Sequence, residues 1–119
     1  MDINVEIGLL SEFYGSLLTE KQASVIEDYY NNDLSLSEIA ENNNITRQGV
    51  RDNIKQAEKK LYDMEEKLGL MKRFLSEEKK IKSILKNVLI IEKDIEQGNN
   101  DILPKIKEIK QQLSKLVKT

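Results

Sequence analysis

Apolar residues recur at steps of three and four along almost the whole chain, and this spacing constrains the fold more than any other feature of the sequence. Val5, Leu9, Phe13 and Leu17 form one such series near the start. Residues three and four apart lie on one face of an α-helix, so the pattern predicts amphipathic helices. Only one proline and five glycines interrupt the 119 residues. The sequence therefore predicts an all-α protein.

Polar residues between the apolar series mark where the first two helices begin and end. The first helix is expected from about Asn4 to Leu17. Thr19 and Gln22 have the spacing of a capping box, in which each side chain bonds the backbone N–H of the other residue. This box predicts a second helix that continues to about Tyr30. The residues that this second helix is expected to bury are Ala23, Ile26 and Tyr30.

A helix-turn-helix is predicted between Leu34 and Ile54. Ser35 and Glu38 form a second capping box, which opens the first helix of the motif. The run Asn42-Asn43-Asn44 ends that helix, because asparagine tolerates the left-handed backbone conformation that such a turn needs. Thr46 then caps the second helix. Two helices joined by so short a turn are typical of proteins that place the second helix in the major groove of DNA.

A different apolar pattern follows Gly69, which is a typical C-cap for the long helix before it. Two heptad-like series flank a break at residues 98–100, and they predict an antiparallel helical hairpin. Apolar residues off the predicted seam require helices 1 and 4, or a second subunit, to cover them. We therefore assign residues 1–69 to a helix-turn-helix domain and residues 70–119 to a hairpin extension, and we expect a homo-oligomer, most simply a homodimer. The predicted seam comprises Phe74, Ile81, Ile84, Val88, Ile91 and Ile95, then Ile102, Ile106, Ile109, Leu113 and Leu116; the residues off it are Leu75, Leu85, Leu89, Ile90 and Leu103.

Charge is distributed unevenly along the chain, although the net charge is only -2. Residues 1–45 hold nine acidic side chains against a single lysine, Lys21. Residues 46–60 reverse this balance, with five basic side chains against two acidic ones. The first concentration of positive charge therefore falls on the second helix of the predicted motif, where a nucleic acid would bind.

The start of that helix supplies the candidate nucleic-acid contacts. Arg47, Gln48 and Arg51 are expected to face base edges and phosphates. Thr46 and Lys55 are expected to contact the sugar-phosphate backbone, and Lys59 extends the basic surface along the helix. The candidate nucleic-acid-binding residues are thus Thr46, Arg47, Gln48, Arg51, Lys55 and Lys59.

An alternative interpretation is that these basic residues only solvate one face of a helical scaffold. Asp52 lies within the proposed contact surface and would repel phosphates. A small basic patch beside so acidic a segment predicts weak and strongly salt-dependent binding to nucleic acid.

Several classes of function lack the residues they need. The chain has no cysteine and no histidine, so thiolate metal sites and the commonest general base are absent. Adjacent carboxylates such as Glu65-Glu66 diverge around a helix. We predict no enzyme activity, no catalytic residue, no metal and no cofactor. Acidic residues near the start, and no apolar run of about 20 residues, predict a cytoplasmic protein that does not insert into membranes.

The segment LLSEFYGSLLTEKQ at residues 9–22 resembles the opening of the YlxM-like helix-turn-helix proteins of Gram-positive bacteria and mollicutes. The likeness continues through Tyr29-Tyr30, through LSEIAE at residues 36–41, and through TRQGV and DNIK around Arg51. It covers about residues 5–70. Arg51 departs from the family pattern, in which many relatives carry tyrosine, and it makes this face more basic.

The resemblance implies a fold similar to region 4 of bacterial sigma factors, which reads promoter DNA with this motif. It also implies a partner, because such proteins are typically encoded beside the GTPase of the signal recognition particle. We therefore expect a non-enzymatic accessory or regulatory protein of that pathway, which binds the protein or the RNA of the particle through the fourth helix. The alternative is a dimeric, sequence-specific DNA-binding transcriptional regulator, with two recognition helices on two half-sites.

Overall fold

The protein is all-α, as the sequence predicts. The computed structural model describes the backbone of residues 1–118 and the side chains of residues 1–117, so Thr119 of the predicted hairpin extension lies outside the described residues. The described chain contains helices, turns and no strand. Its α-helices are α1 (Ile3–Tyr14), α2 (Glu20–Ile26), α3 (Leu36–Asn43), α4 (Arg47–Leu68), α5 (Leu70–Glu96) and α6 (Leu103–Lys118).

Both predicted capping boxes are present. The Thr19 hydroxyl accepts a hydrogen bond from the backbone N–H of Gln22 at 3.1 Å, and the Gln22 side chain accepts one from the N–H of Thr19. Ser35 and Glu38 repeat this arrangement at the start of α3. Local side-chain chemistry therefore determines where these two short helices begin.

The first helix is shorter than the sequence predicts and buries a different face. It ends at Tyr14, and residues 15–17 continue as a 3-10 turn. Val5, which the predicted series places on the apolar face, is 58% exposed, whereas Ile7 is fully buried. Two apolar series with helical spacing overlap in this segment, so spacing alone does not select the buried one. The series that is buried comprises Ile7, Leu10 and Tyr14.

The second helix also departs from the expected pattern at its end. Of the three residues expected to be buried, Ile26 is buried, but Ala23 and Tyr30 are only half-buried. Val25 is fully buried instead of Ala23. Beyond Ile26 the chain continues as a π turn over Glu27–Asn31. A π turn holds more residues than an α turn, so it rotates Tyr30 away from the direction that a continuous α-helix would give it.

The long helix α4 organises the core of the N-terminal part of the chain. It packs against α1, α2 and α3. Its buried face carries Val50, Ile54, Ala57 and Leu61, as the helical period predicts. Gly69 ends the helix in the left-handed conformation with φ 65°, so the predicted C-cap is confirmed. This core belongs to a compact unit, Met1–Lys72.

A second compact unit begins at Arg73 and contains most of α5 together with α6. The side-chain amide of Asn87 donates to the Gln112 side chain at 3.0 Å, and the Gln112 amide donates to the Ser83 hydroxyl at 3.0 Å. These bonds join the two helices side by side. The unit is therefore the predicted antiparallel hairpin, and Gly98 lies in its turn with φ 76°.

The predicted seam of this hairpin is wrong in part. Ile106 and Leu113 were expected inside it, but they are 44% and 48% exposed. The expected seam residues Ile81, Val88 and Ile95 of α5 are also exposed. The polar network of Ser83, Asn87 and Gln112 turns a neighbouring face inward. The half-buried residues here are Ile102, just before α6, and Lys105, Ile109, Gln112 and Leu116 of α6, which keep steps of three and four but replace two predicted apolar positions with polar ones.

Candidate nucleic-acid interface

The turn between α3 and α4 has the geometry that the asparagine run predicts. Asn44 adopts the left-handed conformation with φ 53° and ψ 43°. The backbone N–H of Ile45 then bonds the carbonyl of Ala40 at 3.1 Å, which satisfies a carbonyl at the end of α3. Ala40 is buried, and its small side chain suits the close contact between α3 and α4. The helix-turn-helix is therefore formed from local interactions.

Thr46 has a structural role at the start of α4. Its hydroxyl oxygen accepts a hydrogen bond from the backbone N–H of Gly49 at 3.0 Å, which confirms the predicted N-cap. A Cβ atom on residue 49 would lie 3.3 Å from this oxygen and 3.7 Å from the Cβ of Ile45, so glycine relieves a tight contact. The hydroxyl proton of Thr46 is not used by the cap. It can still donate to a bound phosphate.

Three of the candidate residues form an exposed basic row. Arg47, Arg51 and Lys55 follow one another at four-residue steps and are all exposed on α4. Such a row spans about 12 Å along one side of the helix. None of the three makes an ion pair within the described part of the chain. We call Arg47, Arg51 and Lys55 the basic row.

Lys59 lies one step further along but differs from the basic row. Its ammonium group is 2.8 Å from a carboxylate oxygen of Asp63, and both side chains are exposed. The hydrogen bond and the negative charge of Asp63 raise the pKa of Lys59, so the lysine stays charged. Because Asp63 offsets that charge locally, Lys59 offers less attraction to a phosphate than the basic row does.

Gln48 is also engaged with a neighbour. Its side-chain amide donates to a carboxylate oxygen of Asp52 at 3.0 Å, and both residues are exposed. A glutamine that reads a base would have to leave this partner, and the carboxylate would then repel nearby phosphates. The structure thus exposes Thr46 at the N-cap and the other five candidate residues along α4, but among them only the basic row offers charge without an ionic partner in the described part of the chain.

Three tyrosine–carboxylate hydrogen bonds hold α4 in place, and the sequence did not predict them. The α4 members lie at residues 58, 62 and 65, a spacing that places them on one side of the helix. Their partners lie 28 to 56 residues away along the chain. The helical spacing of these polar residues is a signal in the sequence, but nothing in it identifies their partners. The pairs are Tyr14 with Glu65 at 2.6 Å, Tyr30 with Glu58, and Tyr62 with Glu6 at 3.2 Å.

The Glu65 carboxylate also caps the start of α5. It accepts from the backbone N–H groups of Met71 at 2.9 Å and Lys72 at 3.0 Å, while the Tyr14 oxygen accepts from the N–H of Leu70 at 3.1 Å. Partial burial alone would raise the pKa of Glu65, but the bonds from Tyr14 and the two backbone groups outweigh it and lower the pKa. Burial and the bond to Glu65 raise the pKa of Tyr14. We call Tyr14 and Glu65 the α5 cap.

The described residues form neither a metal cluster nor a membrane-spanning helix. No three acidic side chains there lie close enough together to hold a metal ion. None of the described helices combines the length and the apolar character that crossing a bilayer requires. The basic row on α4 is therefore the strongest candidate for a functional site.

Comparison with known proteins identifies the family. The sequence profile of the helix-turn-helix proteins described as YlxM / p13 like (UPF0122) matches residues 1–102. The chain belongs to this YlxM/p13-like family. A UPF0122 protein of Acetivibrio thermocellus is 42% identical over 119 residues, covering the full length of both chains. One from Desulforamulus reducens is 52% identical over 80 residues, or 67% of this chain and 68% of the relative. One from Fusobacterium nucleatum is 57% identical over 68 residues, or 57% of this chain and 66% of the relative.

Membership of the YlxM/p13-like family confirms the resemblance drawn from residues 9–22 and from the helix-turn-helix itself. The family is described as one of helix-turn-helix proteins. The contacts assigned to Thr46, Arg47, Gln48, Arg51, Lys55 and Lys59 stay predictions.

Proposed function

We propose that this protein is a non-enzymatic accessory or regulatory protein of the signal recognition particle pathway, which binds the RNA or protein of the particle through the start of α4. One observation carries the proposal. The second helix of a helix-turn-helix presents Arg47, Arg51 and Lys55 to solvent, and none of them has an ionic partner within the described part of the chain.

The chemistry of the basic row suits phosphate groups. Arginine forms paired, charge-assisted hydrogen bonds with phosphate oxygens, and Arg47 and Arg51 lie one helical turn apart. The Thr46 hydroxyl proton and the backbone N–H groups of the first turn add donors at the same end of the helix. No acidic residue lies in the first turn of α4. These groups together form a small surface for a polyanion.

The negative charge of the N-terminal segment favours a ligand that fits one particular surface over binding to any negatively charged polymer. Residues 1–45 carry nine acidic side chains against one lysine. These charges repel a nucleic acid that approaches the surface formed by residues 1–45. A target that fits only the exposed start of α4 is therefore favoured over random duplex. A compact structured RNA, or an acidic protein surface, meets this requirement.

The assignment to the signal recognition particle rests on the resemblance to YlxM-like proteins, which are typically encoded beside the GTPase of the particle. The alternative is a sequence-specific DNA-binding regulator. Gln48 favours it, because a glutamine in the first turn of a recognition helix is suited to read adenine once it leaves Asp52.

The decisive experiment is a titration of the purified chain against three ligands at about 150 mM salt, where exposed charges are well screened beyond roughly 8 Å. The ligands are the RNA of the particle, its GTPase, and random duplex DNA. Arg47→Ala/Arg51→Ala is compared with Lys79→Ala/Lys80→Ala, which removes the same charge from exposed lysines of α5. We expect a particle component to bind, and the α4 variant alone to lose at least about tenfold in affinity.

Other outcomes contradict the proposal in distinct ways. Binding to duplex DNA alone, with sensitivity to the α4 variant, would support the transcriptional regulator. An equal loss in both variants would show that binding follows overall charge and not the basic row. Absence of binding to all three ligands would remove nucleic acid and the particle from consideration.

A further inference from the structure

The C-terminal hairpin lacks an apolar core of its own. Among the described residues from Arg73 onward, the one buried side chain is the polar Asn87, at 6% exposure. Large apolar side chains on both helices stay open to solvent. A two-helix unit that buries so little apolar surface gains little from folding by itself. Phe74 and Leu89 of α5 are exposed, as are eight further apolar residues: Ile81, Leu85, Val88 and Ile95 on α5, and Leu103, Ile106, Leu113 and Val117 on α6.

These eight residues form one continuous face. On α5 they follow one another at steps of four, three and seven, and on α6 at steps of three, seven and four, which is heptad spacing. On each helix the exposed series lies about 110° around the axis from the residues that face the other helix. Because α5 and α6 run in opposite directions, equal offsets place both series on the same side of the hairpin. We call these eight residues the apolar face.

We propose that the apolar face pairs with the apolar face of a second copy of this chain, forming an antiparallel four-helix bundle in which α6 packs against α5 of the partner. The size of the face suits this role, since its exposed area is on the order of the roughly 800 Å² that each partner contributes to a standard interface. The angle between the exposed series and the residues that face the other helix also suits a four-helix bundle. Each helix of such a bundle needs two contact stripes at roughly right angles, one for each neighbouring helix.

The charges on the two helices select the arrangement. Between Leu103 and Val117, α6 carries four lysines and a single acid, Glu108. Two copies of α6 side by side would therefore repel each other. From Arg73 to Glu96, α5 carries basic and acidic side chains in nearly equal numbers. Placing α6 beside α5 of the partner avoids the repulsion, and e and g charges of this kind set which helices pair.

The polar network also fixes the level at which the helices meet. Gln112 bonds both Ser83 and Asn87, so it lies level with the residues between them. Leu113 is therefore almost level with Leu85. A two-fold axis parallel to the helices does not shift residues along the helix direction. Leu113 of the partner subunit therefore stays at the height of Leu85 and lies next to it. Polar side-chain contacts between paired helices, such as the part-buried bond between Asn87 and Gln112, can fix their register.

The first test is sedimentation equilibrium on the full chain. The expected mass is twice 13.8 kDa at micromolar concentrations. Leu85→Glu and Ile106→Glu should each weaken association by at least about tenfold. Leu17→Glu, which places the same charge on an exposed apolar residue outside the apolar face, should leave the dimer intact. A monomeric wild-type chain, or equal dissociation in all three variants, would overturn the proposal.

The second test keeps the apolar face nearly unchanged and asks which helices meet. The chain has no cysteine, so Leu85→Cys and Leu113→Cys chains can be mixed and oxidised without competing thiols. We expect a disulfide-linked heterodimer, because Leu85 and Leu113 of the partner subunit face each other. Cross-linking only within each single-cysteine population would instead place like helices together and refute the α5–α6 arrangement.

Discussion

The Glu65 carboxylate accepts hydrogen bonds from three donors that lie on two different helices. It bonds the Tyr14 hydroxyl at the end of α1 and two backbone N–H groups at the start of α5. The first N–H groups of a helix have no partner within the helix, and a carboxylate there also benefits from the helix dipole. One side chain therefore ties the end of α1 to the point where α5 begins.

Replacing Tyr14 with phenylalanine should weaken the α5 cap without changing the packing of the ring. Glu65 then loses a donor, and the N–H of Leu70 loses its acceptor. We expect the Tm to fall by roughly 5 °C, the change typical of losing one part-buried hydrogen-bonded group from a domain of this size. Circular dichroism melts measure it. Tyr29→Phe is the matched control, because Tyr29 is 37% exposed, and its Tm should change little.

The lowered pKa of Glu65 makes the α5 cap sensitive to acid. The folded state favours the ionised carboxylate, so its contribution is present above the usual value of 4.5 and is lost as pH falls through the lower folded value. The free energy of unfolding should therefore differ most between wild type and Glu65→Gln near neutral pH, and the two should converge below pH 4.5. Urea titrations at several pH values measure this difference. A constant difference from pH 7 to pH 3 would contradict it.

Contacts of this kind between single side chains could not be predicted from the sequence. Tyr14 and Glu65 are 51 residues apart, and either could have been a solvated side chain on its own helix. Pairing over such a separation depends on how α1 packs on α4. Tyr14 is buried, and its partner follows only from the packed structure.

At the scale of elements, Asn44 tests the geometry of the helix-turn-helix turn. Its left-handed φ of 53° disfavours residues with an ordinary Cβ. Asn44→Ala should lower the free energy of unfolding by about 1 kcal/mol, whereas Asn44→Gly should change it by less than about 0.5 kcal/mol. Urea denaturation distinguishes the two. Equal destabilisation by both substitutions would show that the Asn44 side chain matters and not its backbone conformation.

Element boundaries were predictable where local chemistry decides them. Thr19, Ser35 and Thr46 begin helices and Gly69 ends one, because each signal involves residues within one turn. Buried faces were less predictable. In α1 and in the hairpin, two apolar series with similar spacing compete, and packing partners elsewhere in the chain select between them. Asn87 and Gln112 were not expected to be inside, since amide side chains reveal their pairing only when two helices meet.

At the scale of the whole molecule, a chain with net charge -2 is expected to bind nucleic acid only through a local surface. The basic row supplies three cations. If each contacts one phosphate, the logarithm of the association constant should fall against the logarithm of salt concentration with a slope of about -3 for duplex, or about -2 for single strands. Fluorescence anisotropy at several salt concentrations measures the slope. Lys55→Ala should reduce its magnitude by about one, and Asp63→Asn should not.

The location of the buried apolar residues also governs how the chain acquires its structure in time. Among the described residues, all of them lie between Ile7 and Met71. We therefore expect the N-terminal unit to fold in a rapid unimolecular step, since its helices make mainly local contacts. The hairpin would reach full order in a later bimolecular step whose rate rises with protein concentration. On the ribosome, the recognition helix would then be complete before the oligomer exists, so a nascent chain could engage its target first.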